Sequence, residues 1–130
     1  MRKPKIVMQV IKEEIGYSAN AKIGNKFIAT EGDNFDELKI NIVEAVNLSF
    51  EKEHFKYAID EIKFEMDVSS FFEFYKVINA KALSDRIGMS QSLLAQYIKG
   101  IKKPSANQVQ RILFGVQQIG RELSEIRFLL

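Results

Sequence analysis

Apolar residues along this chain recur with two different periods, and the change from one to the other falls near the middle. Lys5 to Lys12 is apolar and β-branched, and Tyr17 to Ile23 and Lys26 to Glu31 alternate, so three strands are predicted. Gly24-Asn25 supplies the tight turn between the second and third, because both residues tolerate positive φ. Gly32-Asp33-Asn34 then breaks the pattern. Asn34 with Glu37 three residues on forms a capping signal, and Leu38, Ile42, Ala45, Val46 and Phe50 recur at helical spacing down to about Glu53. After a connection over 54–60, Glu61 to Val68 alternates as a fourth strand.

From Val68 the strand signals stop. Ser69-Ser70 is read as the cap of a helix over Phe71 to Ile78, and a second helix runs from Asn79 or Ala80 to Ile87. Gly88-Met89-Ser90 is a turn, and a third helix covers Gln91 to Lys99, with Gly100 at its exit. Ser105 caps a last long helix towards Leu130. The expected fold is α+β: a β-β-β-α-β domain at 1–67 and an all-helical domain at 68–130.

Charge sharpens this division. The net charge is only +2, yet residues 1–67 carry ten basic and 13 acidic side chains, and residues 68–130 carry nine basic and four acidic. An acidic module joined to a basic one implies two different partners, the basic one suited to an anionic polymer. There is no cysteine, which removes disulfides and thiolate metal sites. Met1-Arg2-Lys3-Pro4-Lys5 looks like a signal-peptide start. The apolar run after it, Ile6 to Ile11, is too short, and Lys12-Glu13-Glu14 follows at once. No run approaches the ~18 apolar residues of a membrane span, so a cytoplasmic protein is expected.

The strongest motif is built around Gly88. Leu83, Ser84 and Ile87 lie five, four and one residues before it, and Met89, Leu94 and Tyr97 lie one, six and nine after it. That places apolar residues on both sides of a turn, a small residue where two helices cross, and a permissive residue in the turn itself. The stretch ALSDRIGMSQSLLAQYIKGIKKPS (80–105) resembles the Cro/phage-repressor helix-turn-helix family, including the exit at Gly100, Pro104 and Ser105. Serine at 84 replaces the commoner alanine, and Tyr97 a commoner aliphatic residue. The resemblance implies that the exposed face of the third helix reads base edges in the major groove of double-stranded DNA. Carried over, the readers are Gln91, Ser92 and Gln96, with Ser90 at the backbone and Lys99, Lys102 and Lys103 on phosphates. A helical bundle with a glycine turn and no DNA partner is the plain alternative.

The first domain resembles the HicB antitoxin family through Gly16-Tyr17 opening the second strand, Thr30-Glu31-Gly32-Asp33 before the helix, and the helix start near Phe35. Where that family has a loop containing proline and glycine, Lys22 to Lys26 makes a short hairpin. The resemblance implies a partial RNase H-like fold that binds a small basic RNase toxin, with the carboxy-terminal domain repressing the operon. The alternative is a stand-alone repressor whose first domain senses a ligand or only dimerises. A metal-dependent nuclease needs a carboxylate within the first strand, and residues 5–11 have none. Glu31, Asp33, Asp36 and Glu37 cluster at the helix start, where carboxylates serve the helix dipole. His54 is the only histidine and is expected exposed, so no His-based triad or metal pair exists. Neither catalysis nor a metal or cofactor is expected.

In the last helix, Val109, Ile112, Val116, Ile119, Leu123, Ile126 and Leu130 alternate at spacings of 3 and 4. Val109 and Ile112 are expected to pack inside the domain, leaving Ile119, Leu123, Ile126 and Leu130 as a dimer surface for a homodimer or higher oligomer. Gly115 and Gly120 mark either a bend or a close helix approach.

Overall fold

The computed structural model describes residues 2–130; Met1, which opens the basic stretch noted above, lies outside them. The protein is α+β, with a four-stranded mixed sheet and five α-helices among the described residues. It divides into two compact units, one ending at Ser70 and one from Phe71 to Leu130. The break falls at the end of the stretch from Asp67 to Ser70, inside a short helix.

In the first unit the strands are β1 (Ile6–Lys12), β2 (Tyr17–Ile23), β3 (Lys26–Gly32) and β4 (Ile62–Met66), ordered β3-β2-β1-β4. The β1–β2 and β2–β3 pairs are antiparallel, and β4 runs parallel to β1. Register gathers one face of the sheet into the core. Val10 sits beside Ala19 and Met66, Ala21 beside Ile28, Met8 beside Phe64, and Ile6 beside Ile62. Helix α1 (Phe35–Ser49) lies over β2 and β3 and buries Leu38, Ile42 and Val46 completely, at 0% exposure. Small side chains below it, Ala19 and Ala21, and the bare Gly32 let the helix come close. A Cβ on Gly32 would stand 2.7 Å from the backbone nitrogen of Leu38.

Helix α1 starts as expected, with the Asn34 side chain accepting from the Glu37 N–H at 2.9 Å. It ends earlier than expected, at Ser49 rather than near Glu53. Lys26 reaches across from β3, donates to the Ser49 carbonyl at 2.9 Å and pairs with Glu53 at 3.0 Å. A cation on the last carbonyls is the favourable end for a helix dipole. His54 then takes a positive φ of 60°, and the Phe55 N–H returns to the Phe50 carbonyl. Strand β4 likewise begins late, because Ile59–Glu61 forms a single 3₁₀ turn in which the Glu61 carboxylate accepts from the Ala58 N–H. Lys3 donates to the same carboxylate at 2.8 Å and holds it below the usual carboxylate range.

Helix α2 corrects the sequence reading. It covers Val68–Phe74, not Phe71 to Ile78, and its cap is Asp67, which accepts from the Ser70 N–H at 2.8 Å. Asp67 is as good a cap as serine and comes first in the chain, so Ser69 and Ser70 are drawn into the first turn. The remaining helices are α3 (Ala80–Ile87), α4 (Gln91–Ile98) and α5 (Ala106–Glu125). No helix among the described residues is long and apolar enough to cross a membrane.

Candidate nucleic-acid interface

Helices α3 and α4 are joined by three residues whose conformations follow directly from their side chains. Asn79 caps α3 by accepting from the Ala82 N–H at 2.9 Å. Gly88 ends it in the left-handed region, at φ 69°. The Met89 N–H reaches back to the Ser84 carbonyl at 2.9 Å and the Gly88 N–H to that of Asp85 at 3.4 Å. This is the Schellman closure, which only a residue free of Cβ strain enters cheaply. Ser90 then caps α4 through the Leu93 N–H at 3.0 Å. The same closure recurs at the end of α4. Gly100 has φ 75°, and the Ile101 N–H meets the Gln96 carbonyl at 3.0 Å. Ser105 starts α5 by accepting from the Gln108 N–H.

The two helices share a core of Leu83, Met89, Leu94 and Tyr97 with Ile112 of α5, all buried. Ser84 is fully buried at the crossing, and its hydroxyl donates to the Lys81 carbonyl at 2.6 Å, so its departure from alanine leaves no unpaired group. Gly115 resolves the choice left open by sequence: it marks a close approach. A Cβ there would collide with Ile87 and lie 3.2 Å from Leu83, so α5 sits directly on α3.

Two arginines fasten this arrangement, and neither was singled out by the sequence reading. Arg111 donates to the carbonyls of Ile87 at 2.9 Å and Gly88 at 3.0 Å, tying α5 to the turn before α4. Arg86 makes a bidentate pair with Glu122, at 2.7 and 2.9 Å. The guanidinium holds the Glu122 carboxyl below its ordinary range. An arginine on one helix facing a helix C-terminus on another leaves no periodic trace, so spacing could not reveal it.

With Leu94 and Tyr97 turned inward, the opposite face of α4 is open. Ser90, Gln91, Ser92 and Lys99 are exposed, and Gln96 is half-buried beside them, its backbone carbonyl occupied by the turn that follows. Lys102 and Lys103 are exposed just beyond. All seven residues thus lie on α4 and its two ends. No aspartate or glutamate occurs between Arg86 and Arg121, while Lys99, Lys102, Lys103 and Arg111 fall within that span. The surface combines neutral hydrogen-bonding side chains, flanking cations and a capped helix N-terminus, which together suit a phosphate-bearing duplex. No family model matches the chain, and no curated protein or solved structure matches it.

The expected terminal seam is only partly helical. Ile112 is buried and Ile119 half-buried, but Val109 is 37% exposed rather than packed inside. Leu123 is 64% exposed. Helix α5 stops at Glu125, and Ile126 turns to extended geometry (ψ 138°), so Ile126 and Leu130 lie beyond the helix and cannot continue its stripe.

In the first unit, Glu31 near the end of β3 and Asp33, Asp36 and Glu37 around the start of α1 are all exposed, and His54 is exposed in the turn after α1. No cluster of three or more His, Cys, Asp or Glu side chains fit to hold a metal occurs among the described residues. The outer side of α1 is acidic and apolar. Ile40 and Leu48 are 67% and 70% exposed, with Asp36, Glu44 and Glu51 along the same side.

Proposed function

We propose that this protein is a sequence-selective binder of double-stranded DNA that reads base edges with α4, through a helix-turn-helix formed by α3, the Gly88 turn and α4. The observation that carries the reading is the open face of α4: Gln91 and Ser92 exposed and Gln96 half-exposed on a helix fastened from behind, in a stretch without acids. Glutamine can bond an adenine edge through two atoms at once, which gives these positions the means to discriminate. Lys99, Lys102 and Lys103 would neutralise phosphates, which strengthens binding without regard to sequence.

Within that reading, an antitoxin that represses its own operon and neutralises a small RNase toxin accounts for both units. The β-β-β-α-β order and the mixed sheet agree with the resemblance to HicB antitoxins and its partial RNase H-like domain. The acidic, apolar outer side of α1 suits a basic protein partner, since opposite potentials steer encounter and fix register. A stand-alone repressor with a ligand-sensing or dimerising first domain is the competing reading, and a gene for a small basic RNase next to this one separates the two.

The assignment of α4 is tested by comparing two kinds of substitution on a selected duplex and on random duplex. Gln91→Ala or Gln96→Ala should cost about 1–3 kcal/mol on the selected sequence and little on random DNA. Lys102→Ala should weaken both equally and lower the salt slope by roughly one. Equal losses on both duplexes for the glutamine variants would assign those side chains to the backbone and remove the base-reading role.

A further inference from the structure

The face of α5 that α3 does not cover has a regular composition. Ile112, Gly115 and Glu122 face α3. Turned away from it are Val109, Leu113, Val116, Gly120 and Leu123, at successive spacings of 4, 3, 4 and 3. Val109, Leu113 and Leu123 are 37%, 41% and 64% exposed, and Phe114 beside them is 62% exposed. That spacing is the a/d repeat of paired helices, over about 21 Å of helix. The sequence pattern alone merges this row with its neighbour, because Ile112 and Ile119 keep the same alternation while belonging to the inner side.

We infer that this outer row, Val109–Leu113–Val116–Gly120–Leu123, is where α5 pairs with α5 of a second copy of this chain. Three observations select a second copy over a different protein. The residues flanking the row on its open side, Gln110, Gln117 and Ser124, carry no charge. Charged flanks select an unlike partner, whereas neutral ones allow a helix to face itself without repulsion. Gly120 lies within the row with nothing within 4 Å of where its Cβ would be. A mid-helix glycine costs about 1 kcal/mol relative to alanine. Its absent side chain lets a second backbone approach closely, which is the use such a position has on an otherwise apolar row. Finally, α5 is already held on α3 by Gly115 and the Arg86–Glu122 pair, so pairing does not have to order the helix. The choice of two copies also rests on the DNA-reading proposal, in which two half-sites about one helical turn apart require two copies of α4.

The test uses the full chain without DNA. Sedimentation equilibrium should show a dimer at micromolar concentration. Leu113→Glu and Leu123→Glu should each weaken it about 30-fold or more, the effect of losing a central contact, with unchanged circular dichroism because both side chains are exposed in the single chain. The protein has no cysteine, so single cysteines report contact directly. Val116→Cys and Leu123→Cys should form a disulfide-linked dimer on mild oxidation. Each does so alone if the helices run parallel, and the two do so only when mixed if they run antiparallel. Gln118→Cys, on another side of α5, should not. A wild-type chain that stays monomeric, glutamate variants that dimerise unchanged, or equal crosslinking at Gln118 would each overturn the inference. A dimer that binds no duplex would keep this interface and remove the DNA reading, and a monomer that reads DNA would do the reverse.

Discussion

Replacing Gly32 with alanine is expected to destabilise the protein by about 2–3 kcal/mol, near the upper end for overpacking. The added Cβ would stand 2.7 Å from the backbone nitrogen of Leu38 and 2.9 Å from its Cα. Neither atom can swing aside as a side-chain tip would. The first turn of α1 must lift from β3, and Leu38, Ile42 and Val46, all at 0% exposure, move with it. Alanine recovers only up to ~1 kcal/mol by restricting the unfolded chain. Urea unfolding followed by circular dichroism reads the difference as a lower midpoint. An unchanged midpoint would mean that α1 does not rest on Gly32.

Leu83→Ala should be as damaging in the second unit, at about 2–5 kcal/mol. Leu83 is 1% exposed, between the crossing of α3 with α4 and the approach of α5 at Gly115. Removing its branched end leaves a void that the surrounding backbone closes only in part, since Arg111 ties α5 to the Gly88 turn and fixes how the helices sit on that side. DNA affinity should fall with the folded fraction, because α4 takes its orientation from this core. Val77→Ala, at a position 87% exposed, is the control and should change stability by less than ~0.5 kcal/mol. Similar losses for the two variants would contradict the core described here.

Where the sequence was legible, a single residue decided a boundary. Strand β2 begins and ends as expected because glycines with positive φ, Gly16 and Gly24, stand at its two ends. Helices α3 and α4 and the start of α5 are bounded by Asn79, Gly88, Ser90, Gly100 and Ser105, each with a defined backbone role. Where two candidates competed, local pattern failed. Asp67 displaced Ser69-Ser70 as the cap of α2, and Lys26 with the Phe50–His54 turn ended α1 before Glu53. The terminal seam shows the limit of periodicity most clearly. Spacings of 3 and 4 fit two adjacent rows of one helix, and only the contact of Gly115 with α3 tells which row faces inward. Arg111 and the Arg86–Glu122 pair were invisible for a related reason, since they join residues 24 and 36 positions apart in the chain.

Selection from a pool of random-sequence duplexes by the purified full-length protein tests base reading by α4 most directly. Convergence is expected on one sequence, composed of two related half-sites about one helical turn apart. The selected duplex should bind about a thousandfold or more tighter than random DNA at the same salt. Gln91→Ala and Gln96→Ala should remove that preference at particular base pairs. A pool that gains affinity without converging, or that binds no better than random duplex, would contradict base reading by α4.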